Sequence, residues 1–415
     1  MWKYNKTYQA PVEKRHDEAI SEHLNLKDPA DFNRCLGRDD CYVNFLRFFE
    51  DEVAEKGVPA VIKEYLLKGD KRANDIFSRM YTGMYSLSIK VELTASDNCL
   101  ADLVHPMIHL GCGIEYQQPS LVAEALAGAC VHENWPMKFL LPAEDHVRLN
   151  KNVPSKSLLQ VIDGLRQDPF ISTGVKDSDP FNKIPDGFLK RVTAEQLVPH
   201  LSQFQVEPTQ EDLQRKMGDM MHTSAYMLGA AQRPGKRETI DFVLLHSATL
   251  SVFYPAILSQ EWLANHDKAR LLEAKARVDA VMYAGCGCPP LYPARIVDYA
   301  PLHPEHSWKE LFHRAIVYRD EVHAAKLIRS LFSLEKLHDL PPSFPIAKKD
   351  FFKIAHMAID SIERAFEEDG NKMPQDVADA IANKIGEGGE MVARNQMRWV
   401  FYGGLEKAWD YVPST

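Results

Sequence analysis

Apolar residues recur at spacings of three and four over most of the chain. Tyr42, Phe45, Leu46, Phe48 and Phe49 keep this rhythm, as do Phe351, Ile354, Ala355, Ala358 and Ile359. Such spacing lines up side chains on one face of a helix, whereas the strict alternation of a half-buried strand is scarce here. The pattern predicts a mainly α fold. Helix punctuation agrees: Gly57 and Gly69 follow two of the periodic stretches, and Ser155 and Thr193 stand where N-caps would open others. Three proline-rich stretches, 199–208, 288–304 and 341–345, interrupt the rhythm. Aromatic residues and leucines are mixed into them, so they read as ordered connections rather than linkers. The expected organisation is one large helical unit over residues 1–415, with a soft sub-boundary near 195–212 and an active site between helices.

A chain of 415 residues can bury a substantial core around a closed site. Its 49 Lys and Arg stand against 58 Asp and Glu, a net charge of -9 with the signs interleaved, so no basic surface for nucleic acid is expected. The most apolar stretch, 242–258, is broken by His246, Ser247, Thr249, Ser251 and Pro255, and the polar residues 1–14 lack the apolar run of a signal peptide. The seven cysteines are odd in number and fit no disulfide framework. Cys286 and Cys288 lack a second pair for a zinc site and read as loop thiols. These features predict a cytoplasmic enzyme acting on a small molecule, with neither nucleic acid nor membrane as partner.

Three helical segments carry the candidate chemistry. In the first, proline after His105 suits a helix start, so the spacing predicts His105 as a cap and His109 one turn along the same face. Two imidazoles so related can meet one metal ion. A capping histidine beside an ordinary core histidine explains the same spacing. In the second, His246 lies in the apolar run 240–249. Burying an imidazole without a partner costs on the order of 1–3 kcal/mol, and either a hydrogen bond or a metal meets that need. In the third, His323 and Lys326 share a face behind Asp320 and Glu321, with the small Ala324 and Ala325 between them. A solvated face with Lys326 paired to an acid is one reading. In the other, a dry lysine beside a cation loses its proton and takes up carbon dioxide, and the resulting carbamate is an anionic ligand for iron. The nitrogen-rich set suits iron, manganese or zinc rather than copper(I) or iron–sulfur clusters. The sequence has no His-Glu-x-x-His, Gly-x-Ser-x-Gly or P-loop motif. Gly111 and Gly113 are followed by Glu115 and Tyr116 instead of a third glycine, which argues against a Rossmann-bound flavin or nicotinamide.

The stretches 105–116 (HPMIHLGCGIEY), 122–127 (VAEALA), 241–246 (DFVLLH) and 320–329 (DEVHAAKLIR), with the aromatic segment from Trp399 to Trp409, resemble the questin oxidase-like family of fungal and bacterial proteins. The similarity runs from about Tyr4 to Tyr411. It implies an oxidoreductase of secondary-metabolite biosynthesis that opens an aromatic, anthraquinone-type polyketide ring with dioxygen, a step often described as Baeyer–Villiger oxidation. It also implies a non-haem iron (Fe2+) held by four histidines and a carboxylated lysine. These would map onto His105 or His109, His246, His323 and Lys326, with His109 preferred within its pair because it lies inside the helix. His323 and Lys326 are then also the expected catalytic residues. Phe242, Phe253, Tyr254 and Trp308 are the expected wall of an apolar cavity for a planar substrate.

Two further readings stand beside this one: an NADPH-dependent Baeyer–Villiger-type monooxygenase without built-in metal, and a catalytically inactive member that binds a polyketide intermediate. Two departures from the family pattern bear on the choice. Family members usually begin with a His-Asn-His-like segment ahead of the stretch that here runs from Trp2 to Gln9, so one histidine ligand is expected to be missing. His16 and His23 lie beyond that stretch in a polar region and are not candidates. Residues 84–104 intervene where the family runs almost directly from Gly83 into His-Pro, as a read-through intron or a diverged paralogue would.

Overall fold

Helix formation follows the apolar rhythm through a computed structural model that describes residues 24–82, 103–317, 323–365, 367, 369–372 and 397–415. The expectations concerning Trp2 to Gln9, His16, His23, residues 84–102, Asp320 and Glu321 lie outside the described residues. The chain divides into two compact units, each with its own core.

The first unit comprises the described residues within 24–82, 103–141 and 255–267. Its principal helices are α1 (Pro29–Cys35), α2 (Tyr42–Lys56), α3 (Lys71–Arg79), α4 (His105–Glu115) and α5 (Pro119–Val131). Aspartates open two of them. Asp28 accepts the Ala30 N–H at 2.9 Å before α1, and Asp70 accepts the Ala73 N–H at 2.9 Å before α3. The periodic face of α2 is buried through Phe45, Leu46, Phe48 and Phe49, with Phe45 edge-on to Phe32 at 5.0 Å. Gly57 ends α2 at φ 78, in the left-handed region that glycine adopts without strain.

Helix α4 packs on α5, and Gly113 sets how closely. A Cβ there would stand 2.7 Å from Val122 Cγ2 and 3.0 Å from the Val122 backbone nitrogen. Backbone cannot swing away as a side-chain tip can, so Gly113→Ala must push the two helices apart. The expected cost is about 1–3 kcal/mol, offset in part by alanine's better helix propensity of about 1 kcal/mol. A lower melting temperature for Gly113→Ala checks this; an unchanged or higher one rejects it.

The second unit holds 142–254 and the described residues from 268 to 415. Here lie α6 (Leu158–Gln167), α7 (Ala194–Leu201), α8 (Gln210–Ala230), α9 (Phe242–Ser251), most of α10 (Asn265–Gly285), α11 (Trp308–Val317), α12 (His323–Ser333) and α13 (Asp350–Arg364). Helix α9 packs on α8 and α12, and α12 packs on α11 and α13. Among the described residues the strands are two dipeptides, β1 (Ile240–Asp241) and β2 (Trp399–Val400), paired in parallel with Ile240 opposite Trp399 and Asp241 opposite Val400. The fold is mainly α, as the periodicity predicts. No helix among the described residues is long and apolar enough to cross a membrane.

Two local expectations shift. Ser157, not Ser155, opens α6: its hydroxyl accepts the Gln160 N–H at 3.2 Å while Gln160 Oε1 accepts the Ser157 N–H at 3.0 Å. This reciprocal pair needs a glutamine or glutamate three residues on, which only Ser157 has. Ser155 instead donates to the Gln205 carbonyl at 3.4 Å. Pro199 sits inside the last turn of α7 rather than opening a connection. The soft boundary considered at 195–212 falls within the second unit.

Candidate metal centre

In the second unit all ten residues of α9 are buried, and Asp241 fixes where that helix starts. Asp241 Oδ1 accepts the N–H groups of Val243 at 2.8 Å and Leu244 at 3.0 Å. Its Oδ2 accepts the Gly403 N–H at 2.6 Å, and the Cys286 thiol donates to Oδ1 at 3.8 Å. One carboxylate thus joins the start of α9, the end of α10 and the C-terminal segment. Burial pushes this carboxyl up to about 6, against the pull of those four donors.

One turn into α9 stands His246, 0% exposed. Its Nδ1 is 2.7 Å from the Phe242 carbonyl oxygen. A carbonyl can only accept, so Nδ1 carries the proton, and in the neutral ring Nε2 keeps the lone pair. This is the tautomer a metal-binding histidine needs, held by a backbone acceptor. Helix α12 begins with His323, 2% exposed, and its packing on α9 brings the two imidazoles to 5.4 Å between centroids at 64°. Phe242 lies 4.7 Å from His246 and 5.0 Å from His323. Phe401 lies 5.1 Å from Phe242, and Trp399 lies 6.4 Å from His323. The histidine pair therefore sits in an aromatic wall. Trp399 and Phe401 reach it through the β1–β2 pairing, a long-range contact with no local signal at either position. Lys326 stands one turn beyond His323 on α12, partly buried.

Beneath α9, the Lys275 ammonium donates to the Ser247 carbonyl at 2.8 Å and pairs with Asp279, which also accepts the Ser224 hydroxyl at 2.9 Å. Both charged groups are buried. This anchors the residue next to His246.

The other expected wall residues lie differently. Phe253 is buried beneath the Arg329 guanidinium, 5.2 Å from its ring centre. Tyr254 is fully buried and donates its hydroxyl to the Leu271 carbonyl at 3.1 Å. Trp308 lines an open groove of about 670 Å³ with Glu305, His306, Lys348 and Phe352, its ring 4.8 Å from Phe352.

In the first unit, His105 and His109 stack on one face of α4, 6.1 Å between centroids and 25° from parallel. His105 is the first helical residue and not the cap. That place belongs to Val104, held in the left-handed region at φ 53, a conformation that costs an L-residue roughly 1–2 kcal/mol. The proline therefore falls one position later than expected. His109 Nδ1 faces Glu124 Oε1 of α5 at 3.7 Å, beyond a direct hydrogen bond. Burial pushes the Glu124 carboxyl up to about 7. A carboxyl behind an imidazole is a common way of orienting a metal ligand. Glu124 is absent from the sequence candidates; its one signal is a lone acid in the apolar run 122–127.

The questin oxidase-like family matches this chain over residues 1–331. An oxidoreductase, AflY, of Aspergillus parasiticus is 41% identical over 396 residues, which are 95% of this chain and 76% of that one. The Baeyer-Villiger oxidase ptaJ of Pestalotiopsis fici is 33% identical, over 87% of this chain and 77% of its own length. The questin oxidase of Aspergillus terreus is 33% identical, over 85% and 75% respectively. Match length and identity agree, and the chain belongs to the questin oxidase-like family and is an oxidoreductase.

Proposed function

We propose that this oxidoreductase opens the ring of an aromatic, anthraquinone-type polyketide with dioxygen in secondary-metabolite biosynthesis, using a non-haem iron. The observation that carries the reading is the buried His246–His323 pair, with the His246 tautomer set by the Phe242 carbonyl. Two imidazole donors fit a divalent first-row metal, and the family resemblance adds His105, His109 and Lys326 to the donor set. The names of the relatives, questin oxidase and Baeyer-Villiger oxidase, support oxidative attack on a quinone-like ring.

Iron(II) in such a set supplies the one-electron reactivity with dioxygen that a closed-shell aromatic ring lacks. The chain's own residues do the rest. His246 and His323 offer ring nitrogens, and the Phe242 carbonyl holds His246 in the orientation that keeps Nε2 free of a proton. Phe242, Trp399 and Phe401 keep water from the pair and present flat surfaces to a planar ring. The Lys326 amine, on adding to carbon dioxide with loss of one proton, becomes an anionic oxygen donor on the helix that carries His323. Cys35, Cys41, Cys130, Cys286 and Cys288 are thiols, which suits a reducing compartment such as the cytosol.

Metal analysis joined to turnover tests the reading. About one equivalent of iron and loss of turnover on chelation, restored by Fe2+, are expected. Protein free of transition metals with turnover unchanged by chelator would sink it. Delivering a single oxygen atom to the product requires two electrons from outside, so a strict requirement for NADPH in a metal-replete assay would favour the monooxygenase reading instead.

A further inference from the structure

The second unit holds another cluster of metal-binding side chains, on the turn before α11. His303, Pro304, Glu305 and His306 form a closed four-residue turn in which the His306 N–H donates to the His303 carbonyl at 3.1 Å. Proline at the second position presets the backbone for such a turn. On its far side the chain is fixed again, because Ser307 gives its N–H to Glu310 Oε2 at 2.9 Å at the start of α11. The backbone is therefore held from both ends.

This turn brings three donors together. Glu305 Oε1 lies 3.5 Å from His303 Nδ1 and 3.5 Å from His306 Nε2. The imidazoles stack at 4.5 Å and 16°, and one ligand atom from each of the three residues lies within 4.8 Å of the others. Two donors bound ~2.1 Å from a zinc ion at a tetrahedral angle stand ~3.4 Å apart. Glu305 Oε1 stands at nearly that spacing from a ring nitrogen of each histidine. We propose that His303, Glu305 and His306 bind a divalent transition-metal ion of the zinc type, independently of the proposed iron centre. Two imidazoles and one carboxylate suit zinc, cobalt or nickel, whereas magnesium and calcium prefer all-oxygen sites. Water or a small anion completes the coordination. Glu305 and His306 also border the groove that contains Trp308, Glu335, Lys348 and Lys349.

Zinc binding to the chelator-stripped full chain tests the proposal by calorimetry and by zinc content after desalting. His303→Ala with His306→Ala is expected to remove one zinc equivalent per chain. Glu305→Gln is expected to weaken that equivalent about tenfold or more, and Mg2+ is expected to give no heat. Any ion taken up by the buried histidines is common to all the proteins and cancels in the comparison. The side chains of His303, Glu305 and His306 are 48%, 67% and 25% exposed, so the metal-free variants are expected to melt as wild type does. If the double variant folds poorly, Glu305→Lys at the most exposed of the three positions gives the same answer. Equal zinc uptake by wild type and variants overturns the site, as does a wild type that binds none on this turn.

Discussion

His323→Phe is expected to reduce turnover ~100-fold or more while leaving the protein folded, with a stability change within about 1.5 kcal/mol. The aromatic ring keeps a flat apolar surface against Phe242 and Trp399 and removes both ring nitrogens, the lone pair and the N–H alike. His246→Phe should behave alike, because the Phe242 carbonyl released by the lost ring N–H keeps the hydrogen bond that the helix itself gives it. If these imidazoles were simply core side chains satisfied by hydrogen bonds, both variants would keep turnover and gain stability from the apolar ring. Steady-state turnover, bound iron and melting temperature on the same preparations separate the two cases. Wild-type turnover in either variant would remove that histidine from the centre.

Much of the fold was legible because its signal is local. The rhythm from Phe351 to Ile359 became α13, and that from Tyr42 to Phe49 became the buried face of α2. The i,i+4 spacing of His105 and His109 did place their rings side by side on α4. What the sequence hid depends on contacts between distant segments. The N-cap of α6 is not among these: a glutamine stands three residues after Ser157 and not after Ser155, so its capping box is written locally. A left-handed Val104 cannot be read ahead of proline, because valine disfavours it. Trp399 joins the histidine wall through a strand of two residues, too short to show alternation. Glu124 looked like one acid in an apolar stretch until the close approach at Gly113 set α5 beside α4.

Lys275 and Asp279 were hidden for a related reason, since at i,i+4 in a charge-rich helix they resemble an ordinary solvated pair. Both are in fact buried, and the pair lies against the helix that carries His246. Lys275→Met is expected to destabilise the second unit by about 3–5 kcal/mol, because it leaves the Asp279 carboxylate buried without a counter-charge. Burial already pushes the Asp279 carboxyl above its ordinary range, opposed by Lys275. Removing the lysine raises it further, so the folded variant binds a proton more tightly than its unfolded chain does. The cost is therefore largest near neutral pH and shrinks as the pH falls towards the acid range. The double variant Lys275→Met with Asp279→Leu is expected to regain most of the loss near neutral pH, since neither charge is then stranded. It still lacks the bond to the Ser247 carbonyl, so α9 is held less firmly, and weaker iron retention than wild type is expected even where stability returns. Urea unfolding at several pH values, with iron content measured on the same variants, checks both effects. A loss below ~1 kcal/mol for Lys275→Met, or one independent of pH, would mean that water reaches the pair and that it does not anchor the helix beside the centre.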